Sequence, residues 1–167
     1  MDKAKVKEIL QFFRDIDNHI AFNIQQINDM EDDYYPSGGT RDINRGIKSK
    51  NKISKTTERT ALSISKALTE TIQEVKEENE LLYRLKAAII KELGHLPHIH
   101  RTVIYDFYVR GHKWVHISKR IKYSERQCRG IRDMALNELG AKFAQNKQIA
   151  GYNFPAKRLP PIAAFSC

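Results

Sequence analysis

Two histidines, His112 and His116, lie four residues apart, a spacing that would place both rings on one face of a helix. Such a pair can share a metal ion, but a zinc site needs further ligands and none follows at a suitable spacing. The sequence also contains no Walker-type phosphate loop, no dinucleotide fingerprint and no nucleophile elbow. We therefore expect a protein without catalytic activity, metal or cofactor.

A second set of candidate residues consists of Arg126, Arg129 and Arg132, which follow Glu125 and lie three residues apart, a helical spacing. An arginine can bind guanine through two hydrogen bonds, and a glutamate can accept one from cytosine. From Arg110 to Arg132 the chain has eight basic residues and a single acidic one. Such a concentration of positive charge can neutralise phosphates and release their counterions, although a solvated basic face is the alternative.

The apolar pattern predicts the helices that would position these groups, within a domain spanning residues 94–143. We expect a helix between Pro97 and Gly111, a short helix over 113–120, a tight turn at 121–123 and a further helix after Ser124. Ser124 is a good N-cap residue. The buried face of the last helix is predicted to comprise Cys128, Ile131, Ala135, Leu136 and Leu139. This arrangement is typical of a helix-turn-helix, whose second helix enters the major groove. A basic three-helix packing unit is the structural alternative.

The two kinds of DNA contact are predicted from position on this motif. Base contacts are assigned to the solvent face of its second helix, at Glu125, Arg126, Arg129 and Arg132. Contacts to the DNA backbone are assigned to the basic groups around the turn and to the cap residue, namely Lys113, Lys119, Arg120, Lys122 and Ser124.

Upstream of this domain the sequence predicts two helices and a linker. Apolar residues at spacings of three and four indicate a helix in the N-terminal segment 1–35, and segment 36–56 is basic, rich in Gly, Ser and Asn, and expected to be a flexible linker. A long helix over 57–93 has a heptad-like seam, in which a buried Asn would favour a defined dimeric register. The predicted dimerisation residues are Ile72, Val75, Asn79, Leu82 and Ile89. Packing of this face on the N-terminal helix of the same chain is the competing explanation.

Composition restricts the class of protein further. The 167 residues have a net charge of +9 and a pI near 9.6, and 41% of them are hydrophobic. No apolar run is long enough to span a membrane, and two cysteines make no disulfide framework. We expect an all-α protein located in the cytoplasm. Its tail, residues 144–167, is apolar enough to pack back on the domain or on a partner subunit.

The same residues resemble region four of bacterial sigma factors, which recognises the promoter −35 element. The resemblance rests on the stretches 96–104, Phe107-Tyr108-Val109-Arg110-Gly111, Trp114-Val115-His116-Ile117-Ser118, 123–126 and Ala135-Leu136-Asn137-Glu138-Leu139. The chain is more similar still to the ArpU- and RinA-like late transcription activators of phages and prophages, over about residues 57–140. This resemblance implies binding of double-stranded DNA upstream of late genes, in a bacterial host cell, together with host RNA polymerase.

Carried over by position, the region-four base contacts would fall on Glu125, Arg126, Arg129 and Gly130. Gly130 departs from the family pattern, in which this position usually has a side chain that can reach a base. Either the DNA approaches the helix backbone closely here, or the position reads no base. No counterpart of the other sigma regions is present, so a complete sigma factor is not expected.

Two other functions are compatible with a basic all-α chain. A phage terminase small subunit also joins a helix-turn-helix to long oligomerising helices and binds packaging-site DNA. A polymerase-binding adaptor would instead use the basic face on an acidic protein partner. Ring assembly would distinguish the first, and the absence of salt-sensitive DNA affinity would distinguish the second.

Overall fold

The computed structural model describes the backbone of residues 1–34 and 55–154 and the side chains of residues 1–32 and 66–154. All regular secondary structure within these ranges is helical, which confirms the predicted all-α class. Residues 36–54 of the linker predicted over 36–56 and residues 155–167 of the predicted tail lie outside them. Residues 55 and 56 are helical, so the long helix begins two residues earlier than predicted. None of the described helices combines the length and the apolar composition needed to cross a membrane.

Six α-helices and one π-helical turn make up the described part of the chain. The helices are α1 (Lys3–Tyr34), α2 (Lys55–Gly94), α3 (His98–Ile104), α4 (Trp114–Ile121), α5 (Glu125–Gln145) and α6 (Lys147–Ala150). The π-helical turn, Tyr105–Val109, follows α3 directly and replaces the last part of the single helix predicted between Pro97 and Gly111. Pro97 precedes α3 as its N-cap residue.

The described residues divide into two compact units. The first contains the described residues of Met1–Asp17 and Tyr83–Cys167, and the second is Asn18–Leu82. The first unit has an apolar cluster formed by Val103, Ile117, Cys128 and Ile131, all with at most 9% of their surface exposed. Because α3, α4 and α5 each contribute to this cluster, it fixes the three helices against one another.

The first unit is larger than the predicted DNA-binding domain 94–143, because the start of α1 belongs to it. The Met1 amine donates a hydrogen bond of 3.1 Å to the Gly140 carbonyl oxygen on α5. Phe12 on α1 contacts the rings of Tyr152 and Phe154 at centroid distances of 5.6 and 5.5 Å. The start of α1 thus belongs to the same unit as the C-terminal helices, and the predicted domain boundary at residue 94 stays a prediction.

The predicted tail is described up to Phe154. After α5 ends at Gln145, Asn146 caps α6 by accepting hydrogen bonds from the backbone N–H groups of Gln148 and Ile149. Ile149 is completely buried, and Phe154 is 6% exposed. The segment thus packs back on its own chain.

The second unit pairs the end of α1 with the middle of α2. Lys76 on α2 lies 3.4 Å from Glu31 on α1. Asn23 and Asn79 are both buried here, and the amide nitrogen Nδ2 of Asn23 and the amide oxygen Oδ1 of Asn79 have no hydrogen-bond partner among the described residues. Two buried polar groups without partners are costly in this small unit.

Part of the predicted dimerisation seam, the heptad-like face of α2, is buried within a single chain. Leu82 and Ile89 are 1% and 0% exposed, whereas Ile72 and Val75 remain half-buried. Leu82 and Ile89 cannot meet a second copy without first leaving their own core. Their burial favours the competing explanation for these two positions, and dimerisation stays a prediction.

Asn79→Leu is expected to stabilise the protein by about 1–2 kcal/mol, because it replaces a buried carbonyl oxygen without a partner by an apolar group of similar size. Chemical unfolding at neutral pH measures this difference. Asn137→Leu, at an exposed position on α5, is the control and should change the free energy of unfolding little. A destabilised Asn79→Leu variant with a lower oligomeric mass would instead show that Asn79 has its partner in a second copy.

Glu92→Gln is expected to lower stability at neutral pH, with a difference from wild type that shrinks in acid. The Asn146 amide donates a hydrogen bond of 2.8 Å to Oε1 of Glu92, and this bond, together with His95, lowers the pKa of Glu92 against the opposing effect of burial. A carboxyl group whose pKa is lowered by folding stabilises the fold above its unfolded pKa, about 4.3, and loses that contribution as pH falls through its folded pKa. The free energies of unfolding of Glu92→Gln and wild type, measured from pH 7 to pH 3, should therefore converge in acid. A difference that stays constant over this range would contradict the assignment.

Candidate nucleic-acid interface

The helix predicted to read DNA, α5, begins at a complete capping box. Ser124 Oγ accepts a hydrogen bond of 3.3 Å from the Gln127 backbone N–H, and Gln127 Oε1 accepts one of 2.9 Å from the Ser124 backbone N–H. This reciprocal pair confirms the predicted N-cap and fixes the first residue of the helix. The Ser124 hydroxyl is already engaged in the cap, and its contact with a DNA phosphate stays a prediction.

A turn of residues 122–124 joins α4 to α5. Lys122 adopts left-handed backbone angles, φ 58° and ψ 39°, and is the one non-glycine residue with positive φ in the described chain. A left-handed residue directly after a helix turns the chain sharply away from the helix axis. This conformation ends α4 and places the Lys122 side chain, which is exposed, on the turn itself.

The three arginines predicted to contact bases differ in how much of each is accessible. Arg126 is exposed and makes no hydrogen bond, ion pair or ring contact within the described residues. The Arg129 side chain is 55% exposed, with Nη2 3.5 Å from Oε2 of Glu125. Arg132 is only 23% exposed, and its Nη2 lies 2.7 Å from the Asp133 carboxylate. Arg126 and Arg129 are therefore available to a partner, whereas Arg132 is largely engaged within its own chain.

Trp114 lies beside two of these arginines, Arg129 and Arg132. Its ring stacks on Phe107 at a centroid distance of 4.3 Å, with 18° between the planes. The guanidinium groups of Arg129 and Arg132 lie 5.9 and 5.5 Å from the Trp114 centroid. Cation–π attraction to a fixed indole ring restricts the conformations of both arginines.

Gly130 occupies an exposed place on α5 between these arginines. A Cβ atom built there would have no atom of the described chain within 4 Å, and the backbone is helical without a positive φ. Nothing in the described part of the chain thus requires a glycine at this position. Gly140, further along the same helix, is different, because its Cβ would lie 2.7 Å from the Met1 carbonyl oxygen.

The predicted phosphate contacts also fall into two groups. Lys113, Lys119 and Lys122 are exposed, and their side chains form no ion pair within the described residues. Arg120 is instead bound to Asp106, with Nη1 2.8 and 3.0 Å from the two carboxylate oxygens. Half of the Arg120 side chain remains exposed, so its guanidinium is both anchored and accessible.

Asp106, which binds Arg120, was not among the residues predicted from the sequence to belong to this interface. Its residue surface is 1% exposed, and it lies in the π-helical turn, whose i to i+5 hydrogen bonding is shown by the Arg110 N–H donating to the Tyr105 carbonyl oxygen. Arg110 Nη1 also lies 3.2 Å from Asp106 Oδ1. The signal in the sequence was a lone acidic residue within an apolar stretch of a basic segment.

Two further ionisable groups of this region, Cys128 and Tyr108, are buried. Burial raises the pKa of the Cys128 thiol, so the sulfur stays protonated and weakly nucleophilic at neutral pH. Burial likewise raises the pKa of Tyr108. No group of three His, Cys, Asp or Glu side chains that could hold a metal occurs among the described residues.

Comparison with known proteins gives no relative from which a function could be transferred: no protein-family model, no curated protein and no solved structure matches this chain.

Gly130→Ala is expected to raise the free energy of unfolding by about 0.5–1 kcal/mol, because alanine restricts the unfolded chain more than glycine does and the added methyl group enters open space. Thermal or urea unfolding measures the gain. Gly140→Ala is the matched control on the same helix, and we expect it to lose stability because its methyl group meets the Met1 backbone. A loss of stability at both positions would show that Gly130 has an intramolecular role.

Proposed function

We propose that this protein is a sequence-specific regulator of transcription that binds double-stranded DNA through α5. The observation that supports this most directly is the pair of accessible arginines, Arg126 and Arg129, in the first two turns of a capped helix that follows α4 and a tight turn. The N-terminal residues of such a helix are the ones that reach base edges in helix-turn-helix proteins.

The surrounding charges support a division of roles. Arginine on α5 can bind a guanine edge through two hydrogen bonds, which discriminates between bases. The exposed Lys113, Lys119 and Lys122 lie at the start of α4, in its last turn and on the turn that follows. Lysines at these positions are suited to phosphate contacts, which set orientation without reading sequence.

The finer proposal rests on the resemblance to sigma region four and to late transcription activators. In it, the protein acts in the cytoplasm of a bacterial host, as a homodimer, and activates phage late genes together with host RNA polymerase. It needs no cofactor and catalyses no reaction. Packaging-site binding by a terminase small subunit and binding of polymerase alone are the alternatives that experiment must separate.

Selection of bound sites from a random duplex library, near the physiological ionic strength of about 0.15 M, tests the proposal. Recovery of a fixed motif is the expected result, and an inverted repeat would indicate a dimer. Recovery of no motif would overturn sequence-specific binding. Ring assembly with DNA would then favour the packaging function, and polymerase capture without DNA affinity would favour the adaptor.

Arg129→Ala is expected to weaken binding to the selected site by about 1–3 kcal/mol and to weaken binding to random DNA much less. Lys119→Ala should weaken both by similar amounts, because a phosphate contact does not depend on sequence. Fluorescence anisotropy with both duplexes measures these differences. Lys91→Ala, an exposed charge on α2, serves as the control for loss of one positive charge. Equal losses on both duplexes for Arg129→Ala would remove it from the base contacts.

A further inference from the structure

Basic side chains from three separate segments lie around Asp106 and the loop that contains Gly111: Arg110 and Arg120 contact the Asp106 carboxylate, and Arg14 lies beside Gly111. We call Arg14, Arg110 and Arg120 the arginine cluster; they come from α1, from the end of the π-helical turn and from α4. Only Arg120 was expected from the sequence to contact DNA. Arg14 belongs to an N-terminal segment with more acidic than basic residues, so its charge pattern gave no reason to expect it there.

Asp106 orients two members of the cluster. The carboxylate contacts Nη1 of Arg110 at 3.2 Å and Nη1 of Arg120 at 2.8 Å. It also accepts Arg120 Nη1 on its second oxygen at 3.0 Å. Each guanidinium has five N–H donors, and these contacts occupy one nitrogen of each. About half of each arginine side chain stays exposed, so further donors are fixed in direction and accessible.

Arg14 on α1 lies beside Gly111, the residue that follows Arg110. Gly111 has a φ of +69°, and the Arg14 Nη1 lies 3.6 Å from the place that a Cβ of Gly111 would occupy. A side chain at residue 111 would therefore be strained and would contact the Arg14 guanidinium directly. The positive φ accounts for the glycine, and the 3.6 Å spacing places the Arg14 guanidinium beside the loop that follows Arg110.

The charges of the cluster are not balanced by the described residues around it. Asp106 offers one negative charge to the two guanidinium groups of Arg110 and Arg120, and the Nδ1 of His112 lies 3.9 Å from the same carboxylate. Arg14 forms no ion pair with the described residues. Lys113, next along the chain, adds another exposed positive charge. Ion pairing within the chain accounts for the orientation of Arg110 and Arg120 but leaves a positive excess at the surface.

We propose that the arginine cluster binds a phosphate group of the DNA backbone, and that Arg14 on α1 is part of this site. Planar guanidinium groups with fixed direction match the oxygens of a phosphate, which they can bind through paired hydrogen bonds. Asp106 is the positioning residue, because it holds two of the three arginines without touching the DNA. This inference rests on the proposed function and extends the interface beyond α4 and α5 to the N-terminal helix.

The test is the salt dependence of DNA binding by the full chain carrying Arg14→Gln. Loss of one phosphate contact should reduce the slope of log K against log salt by about 0.9 between about 50 and 200 mM salt. Affinity should fall equally for selected and random duplexes. Lys7→Gln is the matched control, because Lys7 is an exposed positive charge two turns earlier on α1 with no contact to Gly111. It should keep the wild-type slope.

The outcomes separate this inference from the proposed function. If wild-type protein binds DNA and Arg14→Gln retains the wild-type slope, the phosphate site is overturned while DNA binding stands. If wild-type protein binds neither duplex, both proposals fail. Arg14→Glu is the second variant, and an exposed charge reversal should leave the thermal unfolding midpoint near that of wild type while weakening DNA binding more than Arg14→Gln does. Unchanged affinity in both Arg14 variants would contradict the site.

Discussion

Asp106 places a carboxylate where almost no water reaches it, and arginines from α4 and from the end of the π-helical turn meet it there. Burying a charge is costly unless it is paired, so this carboxylate requires both Arg110 and Arg120 to stay close. The π-helical turn, the Gly111 loop and the last turn of α4 are thereby tied together. The direction of the Arg110 and Arg120 side chains follows from that one buried charge.

The apolar cluster beneath this surface positions α5 independently of the charges. Cys128 and Ile131 pack with Ile117 on α4, while the Ser124–Gln127 capping box fixes where α5 begins. With register and packing both set, Arg126 and Arg129 have a defined place on the exposed side. Preorganised side chains on a rigid helix lose less conformational freedom on binding than side chains on a mobile loop.

The N-terminal helix has a larger part in this unit than a separate assembly segment would have. Its first residue bonds to Gly140 on α5, and Phe12 packs on Phe154 beyond α6. The second unit contains the two buried asparagine groups without partners, Asn23 and Asn79. The two ends of α1 belong to different units. Its start belongs to the first unit with the C-terminal helices, and its end pairs with the middle of α2 in the second unit.

The sequence alone determined the helical class, the start of α5 at Ser124 and the buried positions of its apolar face, because these depend on local periodicity and capping. It could not determine that Arg14 lies near Arg110. Arg14 is far along the chain from Gly111, the residue after Arg110, and comes to lie beside it only because α1 packs into the first unit. Nor could the sequence show that Asp106 turns inward, because a π-helical turn shifts side chains from their α-helical positions. Tertiary packing also decided that Leu82 and Ile89 are covered within one chain, since apolar spacing is the same whether a helix faces its own chain or a second copy.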